Sequence, residues 1–358
     1  MTASALLVFA HALLAVAGFV AVLFAGSRVV PGRAVAGGVI EDGRPRRYRL
    51  NGLALFLAST AIALATALAG LGWASWLHAH AVALLAAANV FALLLIGALY
   101  LRGRAHAAAS PRALRDAFLG LERNPAWWGV DLKLFSYRPS LIGLALINLS
   151  FALVQYQRLG LVSQPMVLYQ AFTFLYVLNY FQFEHGMLHT WDIVAERFGG
   201  MLVWGDFVLV PFFYSLPGWF VLDRVQPLGA GESVALIALF ALGFWLFRGA
   251  NEQKHRFKQD PRARIWGRPA QALEGRLLVS GFWGIGRHLN YTGEIGVYLA
   301  FTLCAGFHSA VPWLLPAWLA ALLAHRAWRD ERRCRAKYGA LWDAYTRRAR
   351  FRMIPFIY

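Results

Sequence analysis

Long apolar runs separated by short polar blocks dominate the chain. A helix of about 20 apolar residues is long enough to cross the ~30 Å hydrocarbon core of a bilayer. Such runs recur at residues 5–26, 52–71, 81–100, 140–157, 166–183, 203–222, 233–249, 291–307 and 309–325. Because no convincing strand run interrupts them, the pattern predicts an all-α fold. We interpret the chain as a polytopic transmembrane helical bundle with about 9–10 spans.

The composition agrees with a membrane protein. Hydrophobic residues make up 59% of the chain and charged residues only 15%, whereas charged residues are about a quarter of an ordinary soluble domain. No polar stretch of about 50 residues is available to build a separate soluble domain. The two cysteines, Cys304 and Cys334, cannot form a disulfide framework, so we expect both to be reduced thiols.

The net charge of +17 follows the predicted topology. With the N-terminus outside, the loops on the cytoplasmic side hold 33 of the 35 Lys and Arg residues, and the opposite side holds only Arg158 and Arg224. This is the positive-inside bias of membrane proteins, and it predicts a cytoplasmic C-terminus without requiring a nucleic-acid partner. Since no basic residue precedes the first apolar run, we interpret that run as an anchor rather than a signal peptide.

The polar blocks divide the chain into three zones. Residues 1–100 are N-terminal helices joined by an Arg/Gly/Pro-rich segment, which we interpret as a solvated, flexible connection. Residues 101–250 mix apolar spans with acidic side chains near the membrane edge. Residues 251–358 hold two further spans between dense polar blocks. No internal repeat is present, which argues against a transporter.

Acidic and histidine side chains gather in the central segment 175–206. His185 and His189 at i, i+4, with Asp192, have a spacing that a metal site on one helix face would need. The order Glu-His-x-x-x-His differs from the zinc-protease pattern, and the other histidines are scattered. We therefore predict no metal and favour a polar substrate or cofactor site.

The stretch "GIGRHLNYTGE" (284–294) places charge between two apolar runs. Its glycines match neither the dinucleotide fingerprint nor the P-loop. No G-x-S-x-G nucleophile motif occurs either, which argues against a serine hydrolase. Basic side chains are available for phosphates and aromatic ones for stacking, although both types also act as interfacial anchors. These residues are Lys254, Lys258, Arg287 and Arg326, and Trp283, Tyr291, Trp342 and Tyr345.

The last polar block reads as a helix that leaves an apolar span. Arg326, Asp330 and Cys334 at i, i+4, i+8 share one face, and Trp342 and Tyr345 follow the break at Gly339. One interpretation is an amphipathic helix with a salt-bridged surface. That interpretation is weakened because Arg326 and Asp330 leave an apolar span directly, where charge is costly unless it is used, which leaves a binding face as the alternative.

Several long motifs resemble one family. They are "GLERNP…DLKLFSYRP" with "INLS", "TWDIVAERFGGMLVWGDFVLVPFFYSLPG", "LLVSGFWGIGRHLNYTGE" and "LLAHRAWRDERRCRAKYGALWDAYTRRARFRMIPFIY". From about residue 118 onward the chain is similar to the membrane-bound sterol reductases. That family includes the sterol 14-reductases, 7-dehydrocholesterol reductase and the membrane domain of the lamin B receptor.

The resemblance implies an NADPH-dependent reduction of a sterol ring double bond, by protonation and then hydride transfer. NADPH would occupy a cytoplasm-facing pocket of the zone 251–358, and the zone 101–250 would form an adjoining sterol pocket. The partners would be a sterol from the bilayer and membrane lipids, with no obligate protein partner. The location would be a bacterial inner membrane or an endoplasmic-reticulum-type membrane.

The resemblance also implies roles for particular residues. Tyr176 would donate the proton, with Glu184 or Asp192 in its network, and Asn179 stands where the family commonly has Asp. Lys258 stands where relatives often carry Arg. The implied cofactor contacts, with Asp330 also given a catalytic role in orienting the cofactor, are Lys254, Lys258, Trp283, Asn290, Arg326, Asp330, Cys334 and Tyr345, to which the local sequence adds Arg287 and His288.

Two other functions stay open. A looser likeness of the C-terminal block to the isoprenylcysteine carboxyl methyltransferases would imply S-adenosylmethionine as the cofactor. A non-catalytic sterol-binding relative is the third possibility, which the retained cofactor-type residues disfavour. Between the two ring bonds, we expect reduction of the 14,15 bond slightly more than of the 7,8 bond.

Overall fold

The computed structural model describes residues 3–39, 45–106 and 112–358. The chain forms two compact units, residues 1–223 and 224–358, and most of the described residues in both are helical. These units are defined by packing, so the three zones predicted from the sequence remain a functional prediction.

The described residues of the first unit form eleven α-helices, a π-helix and two β-hairpins. In chain order they are α1 (Ala3–Val29), β1 (Arg33–Val39), β2 (Pro45–Leu50), α2 (Gly52–Leu68), α3 (Trp73–Ala79), α4 (Ala81–Arg104), α5 (Ala113–Leu119), β3 (Ala126–Trp127), β4 (Val130–Asp131), α6 (Leu132–Leu159), α7 (Gln164–Gln182), α8 (Glu184–Met187), α9 (Trp191–Val194), α10 (Gly200–Trp204), the π-helix (Gly205–Phe213) and α11 (Leu216–Leu222).

The second unit contains five α-helices, a 3₁₀ turn and two further hairpins. They are α12 (Ala230–Gln259), β5 (Arg264–Ile265), β6 (Arg268–Pro269), β7 (Ala272–Leu273), β8 (Leu277–Leu278), α13 (Phe282–Ile285), α14 (Leu289–Leu303), the 3₁₀ turn (Val311–Trp313), α15 (Leu314–Tyr338) and α16 (Ala340–Arg348).

The prediction of an all-α polytopic bundle is confirmed. By length and hydropathy, five helical stretches of the described chain can span a membrane: Ala3–Val29, Ala81–Arg104, Leu132–Leu159, Gly200–Leu222 and Ala230–Gln259. The helices α2 and α3, bent by 99°, make a sixth if they act as one broken span. The protein is therefore an integral, multi-pass membrane protein.

Besides the run on α2, three of the predicted runs do not meet the same criterion on their own. They fall on α7, α14 and α15. Asn, Gln and Tyr side chains lower the hydropathy of α7, α14 has only 15 residues, and the second half of α15 is densely charged. The structure thus supports five to six spans by length and composition, fewer than the 9–10 predicted.

The segment after α1 is a correction to the sequence prediction. We expected a flexible connection without strands, but β1 and β2 pair as an antiparallel hairpin that matches Arg33 with Leu50 and Val35 with Tyr48. Tyr48 is buried with Leu134 and Leu188, so the hairpin packs on the helices. The arginines hid this pattern, because they occupy the outward-facing positions of a strand whose apolar positions are few.

Helix ends in the first unit follow ordinary capping rules. The Asp131 side chain accepts a hydrogen bond from the backbone N–H of Leu134 at 2.9 Å and starts α6, as expected of an N-cap carboxylate. Gly160 ends the same helix with φ of 70°, a left-handed conformation that favours glycine. Ser163 then caps α7, and Pro165 occupies its first turn.

A nine-residue π-helix, Gly205–Phe213, interrupts the fourth span. Such wide turns are rare and occur mostly as short bulges at functional sites. Asp206 is at its second position and Pro211 lies inside it. The π-helix packs on α6, which brings the Asp206 carboxyl against that helix.

Two glycines set the closest helix contact in the second unit. A Cβ atom on Gly243 of α12 would lie 2.9 Å from the carbonyl oxygen of Gly293 on α14. The reverse substitution would place a Cβ 2.5 Å from the carbonyl of Gly243. Small residues allow this backbone approach between apolar helices, so α12 and α14 form the packed centre of this unit.

Candidate functional site

The second unit gathers most of the predicted cofactor residues at one end of α12, α14 and α15. The Lys254 ammonium lies 4.4 Å from the centre of the Trp283 ring, a cation–π contact. Trp283 is itself buried, and its indole N–H donates to the carbonyl of Ala250 at 2.8 Å. The lysine side chain keeps an exposed surface, so this cation remains accessible to an anionic ligand.

Tyr345 and Trp342 lie beneath the Trp283 segment. Both are buried on α16, and the Tyr345 hydroxyl donates to the carbonyl oxygen of Trp283 at 3.3 Å. Burial raises the pKa of the Tyr345 hydroxyl well above its ordinary value, so the group stays protonated. These two aromatic residues support the wall that Trp283 presents.

The polar face predicted on α15 is present. Arg326, Asp330 and Cys334 all lie within the continuous helix α15, and the Cys334 thiol approaches the Asp330 carboxylate at 3.9 Å. Asp330 also accepts from Arg333 at 2.5 Å. Burial, with Asp330 beside it, raises the pKa of the Cys334 thiol to about 11. The thiol is therefore not a reactive nucleophile at neutral pH.

Arg287 has a structural position. Its Nε donates to Glu331 at 2.6 Å, and its Nη1 donates to the carbonyl oxygens of Ala349 and Arg350 at 2.7 and 3.0 Å. Arg352 donates to the same glutamate at 2.9 Å. The guanidinium that the sequence offers for a phosphate is thus engaged by Glu331 and by two backbone carbonyls.

Two buried atoms beside this ion pair lack hydrogen-bond partners within the described residues. They are Nε2 of His288 and Oδ1 of Asn290. The Asn290 amide is oriented by its own donation to Asn251 at 3.2 Å, and His288 stacks on Tyr291 with ring centres 5.1 Å apart. Burial lowers the pKa of His288 to about 3, so the imidazole is neutral at physiological pH.

An unpartnered buried polar atom is costly, and here two of them lie on one short segment. A neutral imidazole nitrogen donates or accepts according to its tautomer, and an amide oxygen accepts. Together with the exposed side chains of Lys254 and, one turn along α12, Lys258, these residues fit a ligand that carries both hydrogen-bonding groups and negative charge.

The first unit holds the predicted proton-transfer residues, and Glu184 is the most constrained of them. It is buried, and its Oε1 accepts from Nε and Nη2 of Arg138 at 3.2 and 3.1 Å. Its Oε2 accepts from the backbone N–H of Gly52 at 3.1 Å. Arg138 also donates to the carbonyl of Arg49. Glu184 therefore connects α6, α8 and the start of α2 as the ionised partner of an arginine.

Tyr176 lies half-buried on α7 and packs against the apolar cluster around Phe135 and Phe181. Asn179, three residues along, is buried. Asp192 is half-buried on α9, close enough to the Lys133 ammonium to interact with its charge. The Lys133 ammonium itself donates to the carbonyls of Ile193 and Glu196 at 3.0 and 2.6 Å, so it fixes the segment that carries Asp192.

The metal alternative receives no support from the geometry. The helix α8 ends at Met187, so His185 and His189 do not share a helix face. Within residues 3–39, 45–106 and 112–358, no group of three or more His, Cys, Asp or Glu side chains could hold a metal ion.

Sequence reasoning passed over Asp206 as a site residue. It is buried in the fourth span, and its Oδ2 lies 2.5 Å from the Ser136 hydroxyl. The sequence did carry a signal for it, since an acidic residue within an apolar run marks a functional site by default. What it lacked was the partner, because Ser136 is 70 residues away along the chain.

This fold and these sites define a multi-pass membrane protein with a cluster of polar and aromatic side chains at the ends of its last helices. Residues 6–358 match the Ergosterol biosynthesis ERG4/ERG24 family, so the chain belongs to this family of membrane sterol reductases. It is 39% identical to the Delta(14)-sterol reductase of Arabidopsis thaliana, over 98% of this chain and 95% of that protein.

The chain is also similar in sequence to other sterol reductases. Identity to the Delta(14)-sterol reductase of Methylotuvimicrobium alcaliphilum is 38%, over 96% of this chain and 83% of that protein. Identity to the 7-dehydrocholesterol reductase of Xenopus laevis is 36%, over 67% of this chain and 54% of that protein. The resemblance stated from the motifs is therefore confirmed at the level of the family.

Proposed function

We propose that this protein is an oxidoreductase of sterol biosynthesis that reduces a sterol ring double bond with NADPH. The observation that carries the cofactor assignment is the pair of unpartnered buried atoms, His288 Nε2 and Asn290 Oδ1, beside the Lys254–Trp283 contact. The family supports the reaction class. NADPH, when bound, supplies a hydride.

The chain's own residues would bind and orient the cofactor. Lys254 and Lys258 are suited to its phosphates as point charges, and Trp283 offers a ring for stacking. His288 and Asn290 offer hydrogen bonds to its polar groups. Arg326 and Asp330, on the α15 face, remain proposed contacts that orient it, with Asp330 in the catalytic role stated above.

We assign proton delivery to residues of the first unit. An isolated ring alkene is a weak electrophile, so a proton has to reach one carbon before the other accepts hydride. We assign the donation to Tyr176, as the resemblance implies. Glu184 is held as an ionised partner of Arg138, so its proposed part is electrostatic, and Asp192 remains a second proposed member of the network.

The proposed substrate is a sterol taken from the bilayer, with its 14,15 double bond favoured. Support comes from the extent of similarity. The Delta(14)-sterol reductases match 91–98% of this chain, whereas the 7-dehydrocholesterol reductases match 67–68%. We also propose that the cofactor end faces the cytoplasm, as the distribution of Lys and Arg residues predicts.

The test of the reaction uses the purified full chain, NADPH and separate sterols unsaturated at the 14,15 bond, the 7,8 bond or the side chain. We expect oxidation of NADPH with the 14,15-unsaturated sterol and a product reduced at that bond. Binding of S-adenosylmethionine without any NADPH oxidation would overturn the proposal in favour of a methyltransferase.

The test of the cofactor site is Asn290→Ala. Its amide oxygen has no partner among the described residues, so its removal takes that contact from the ligand, while the fold loses the one hydrogen bond to Asn251. We expect about a tenfold weaker NADPH affinity, the value of about one to two hydrogen bonds. Gln259→Ala, an exposed change at the end of α12, is the matched control. Equal affinities of both variants and the unmodified chain would remove Asn290 from the site.

A further inference from the structure

Asp206 is a buried carboxyl that nothing in the reaction described so far uses. It lies inside a membrane-spanning segment with 6% of its surface exposed. Unlike Glu184, which has Arg138, it forms no ion pair in the described part of the chain. An uncompensated charge at such a position is costly. Its place in the π-helix adds a second indication of function, because the wide turn brings the carboxyl to α6.

A count of hydrogens at Ser136 indicates the protonation state. The Ser136 Oγ lies 2.5 Å from Asp206 Oδ2 and 2.9 Å from the carbonyl oxygen of Lys133. A hydroxyl has one hydrogen, and both a carbonyl and a carboxylate only accept. If Ser136 donates to the carbonyl, the hydrogen between Ser136 and Asp206 has to come from Asp206. A protonated Asp206 satisfies both contacts at once, and an ionised one satisfies only one.

The hydroxyl of Tyr180 is a second buried polar group near Asp206. It is buried and has no hydrogen-bond partner within the described residues. Its electrostatic neighbours are Tyr137, Glu184, Asp206 and Arg138, so it lies in the same polar interior as Asp206. An unpartnered buried hydroxyl costs stability, which makes it a candidate for function rather than for folding.

Tyr180 also stands four residues after Tyr176 on α7. Residues at i and i+4 share a helix face and are neighbours on it. Both tyrosines pack against the same apolar cluster. The order along this face is therefore Tyr176, then Tyr180, with Asp206 among the neighbours of Tyr180.

We propose that Asp206 is a protonated store in the membrane interior that refills Tyr176 through the hydroxyl of Tyr180. The inference rests on the proposed function, since it assigns the source of the proton that Tyr176 delivers. A tyrosine is a much weaker acid than a carboxylic acid in water, so a Tyr176 that loses its proton needs immediate replacement from a stronger acid.

The transfer balances as follows. The Tyr176 O–H bond breaks as the alkene electron pair forms a new C–H bond. Tyr180 passes its hydroxyl hydrogen to Tyr176 and takes the hydrogen of Asp206, which becomes a carboxylate. The Ser136 hydroxyl then turns its hydrogen to that carboxylate. NADPH, when bound, would supply the hydride that completes the reduction, and a proton taken up from the solution would restore Asp206.

Infrared difference spectroscopy of the full chain in detergent tests, without any substrate, whether the Asp206 carboxyl is protonated. We expect a carbonyl band of a protonated carboxylic acid near neutral pH that disappears in Asp206→Asn. Asp223→Asn, which changes an exposed carboxylate of the same unit, should leave the band in place. A spectrum without a band assignable to Asp206 would overturn the inference.

Tyr180→Phe tests the transfer and protects against a variant that fails to fold. Its hydroxyl bonds to nothing in the described chain, so the variant should fold as well as the unmodified protein and keep the Asp206 band. We expect kcat with the 14,15-unsaturated sterol to fall by about a hundredfold, as for the loss of a proton-transfer group, and KM to stay nearly constant.

The outcomes separate the inference from the function on which it rests. A normal kcat in Tyr180→Phe, in a protein that reduces the sterol, overturns the transfer and leaves the proposed function intact. Failure of the unmodified protein to reduce any sterol overturns both the function and the transfer. The infrared band reports the protonation of Asp206 in either case.

Discussion

Each of the two units pairs a rigid ion pair with a nearby unpartnered atom, but the chemistry differs. In the first unit, Glu184 is fixed by Arg138, and one of several unpartnered buried atoms is the Tyr180 hydroxyl. In the second, Glu331 is fixed by Arg287 and Arg352, and the open atoms are on His288 and Asn290.

The difference between the units lies in what surrounds these atoms. The first unit surrounds this hydroxyl with acids and tyrosines of α6, α8 and the π-helix, which suits movement of a proton. The second surrounds its open atoms with lysines and aromatic rings at helix ends, which suits an anionic, aromatic ligand. The comparison indicates that the ion pairs stabilise the fold, whereas the unpartnered atoms are available to a ligand or a proton. Both roles can be tested.

The largest expected effect comes from Glu184→Gln. The change leaves Arg138, with 3% of its side chain exposed, as a buried cation without its carboxylate. Removal of one partner of a buried pair costs about 3–5 kcal/mol. We expect a clear fall in the temperature at which the detergent-solubilised protein loses its monodisperse form.

The matched control for this change is Asp223→Asn. Its partner is Arg158 at 3.8 Å, and 82% of the Asp223 side chain is exposed. An exposed pair of this kind contributes about 0–1 kcal/mol, so the thermal stability should hardly change. Similar losses in both variants would contradict the structural role of the Arg138 pair.

A smaller loss is expected from Gly293→Ala in the second unit. The added methyl would overlap the backbone of α12 at Phe247 and Gly243, and overpacking of this kind costs about 1–3 kcal/mol. Thermal stability and NADPH affinity should both fall, because α14 begins at the segment that carries Asn290. Gly231→Ala, where a Cβ meets nothing within 4 Å, is the control on α12. Equal thermal stability and equal NADPH affinity of the two alanine variants would show that the contact between α12 and α14 determines neither property.

The smallest effect near neutral pH concerns His288. Since its pKa is lowered from 6.5 to about 3 by burial, the folded state excludes a proton that the unfolded state takes up below pH 6.5. Its contribution to stability is therefore complete above about pH 6.5 and declines toward pH 3, by at most about 1.4 kcal/mol per pH unit.

Unfolding of His288→Gln and of the unmodified protein at a series of pH values measures this dependence. The variant should lose less stability than the unmodified protein as the pH falls below 6.5. His308→Gln, which changes an exposed histidine of the same unit, should keep the slope of the unmodified protein. A slope unchanged in His288→Gln would show that the imidazole is not held neutral.

Sequence alone was sufficient for the fold class and the family, because long apolar runs and long ordered motifs survive without knowledge of contacts. It also placed Arg326, Asp330 and Cys334 on one helix, since an i, i+4, i+8 spacing depends only on helix geometry. Features set by neighbours in sequence were thus within reach.

Features set by partners that are distant in the sequence could not be predicted from it. The bond between Arg138 and Glu184 joins residues 46 apart, and that between Ser136 and Asp206 joins residues 70 apart. The π-helix has no sequence signature beyond Pro211, and the β1–β2 hairpin was concealed by its arginines. The roles of Glu184 and Arg287 as fixed ion-pair partners therefore required the structure.

The segment 349–353 has a consequence for synthesis of the protein. The backbone N–H groups of Arg287 and His288 donate to the carbonyls of Phe351 and Arg352, and the Thr292 hydroxyl donates to that of Met353. These acceptors are translated about sixty residues after the groups that need them. While the ribosome is still reading the intervening codons, the nascent chain already contains Arg287, His288 and Thr292 but not the carbonyl groups that accept their hydrogen bonds. A prematurely terminated chain would expose these unpaired groups to quality-control proteases.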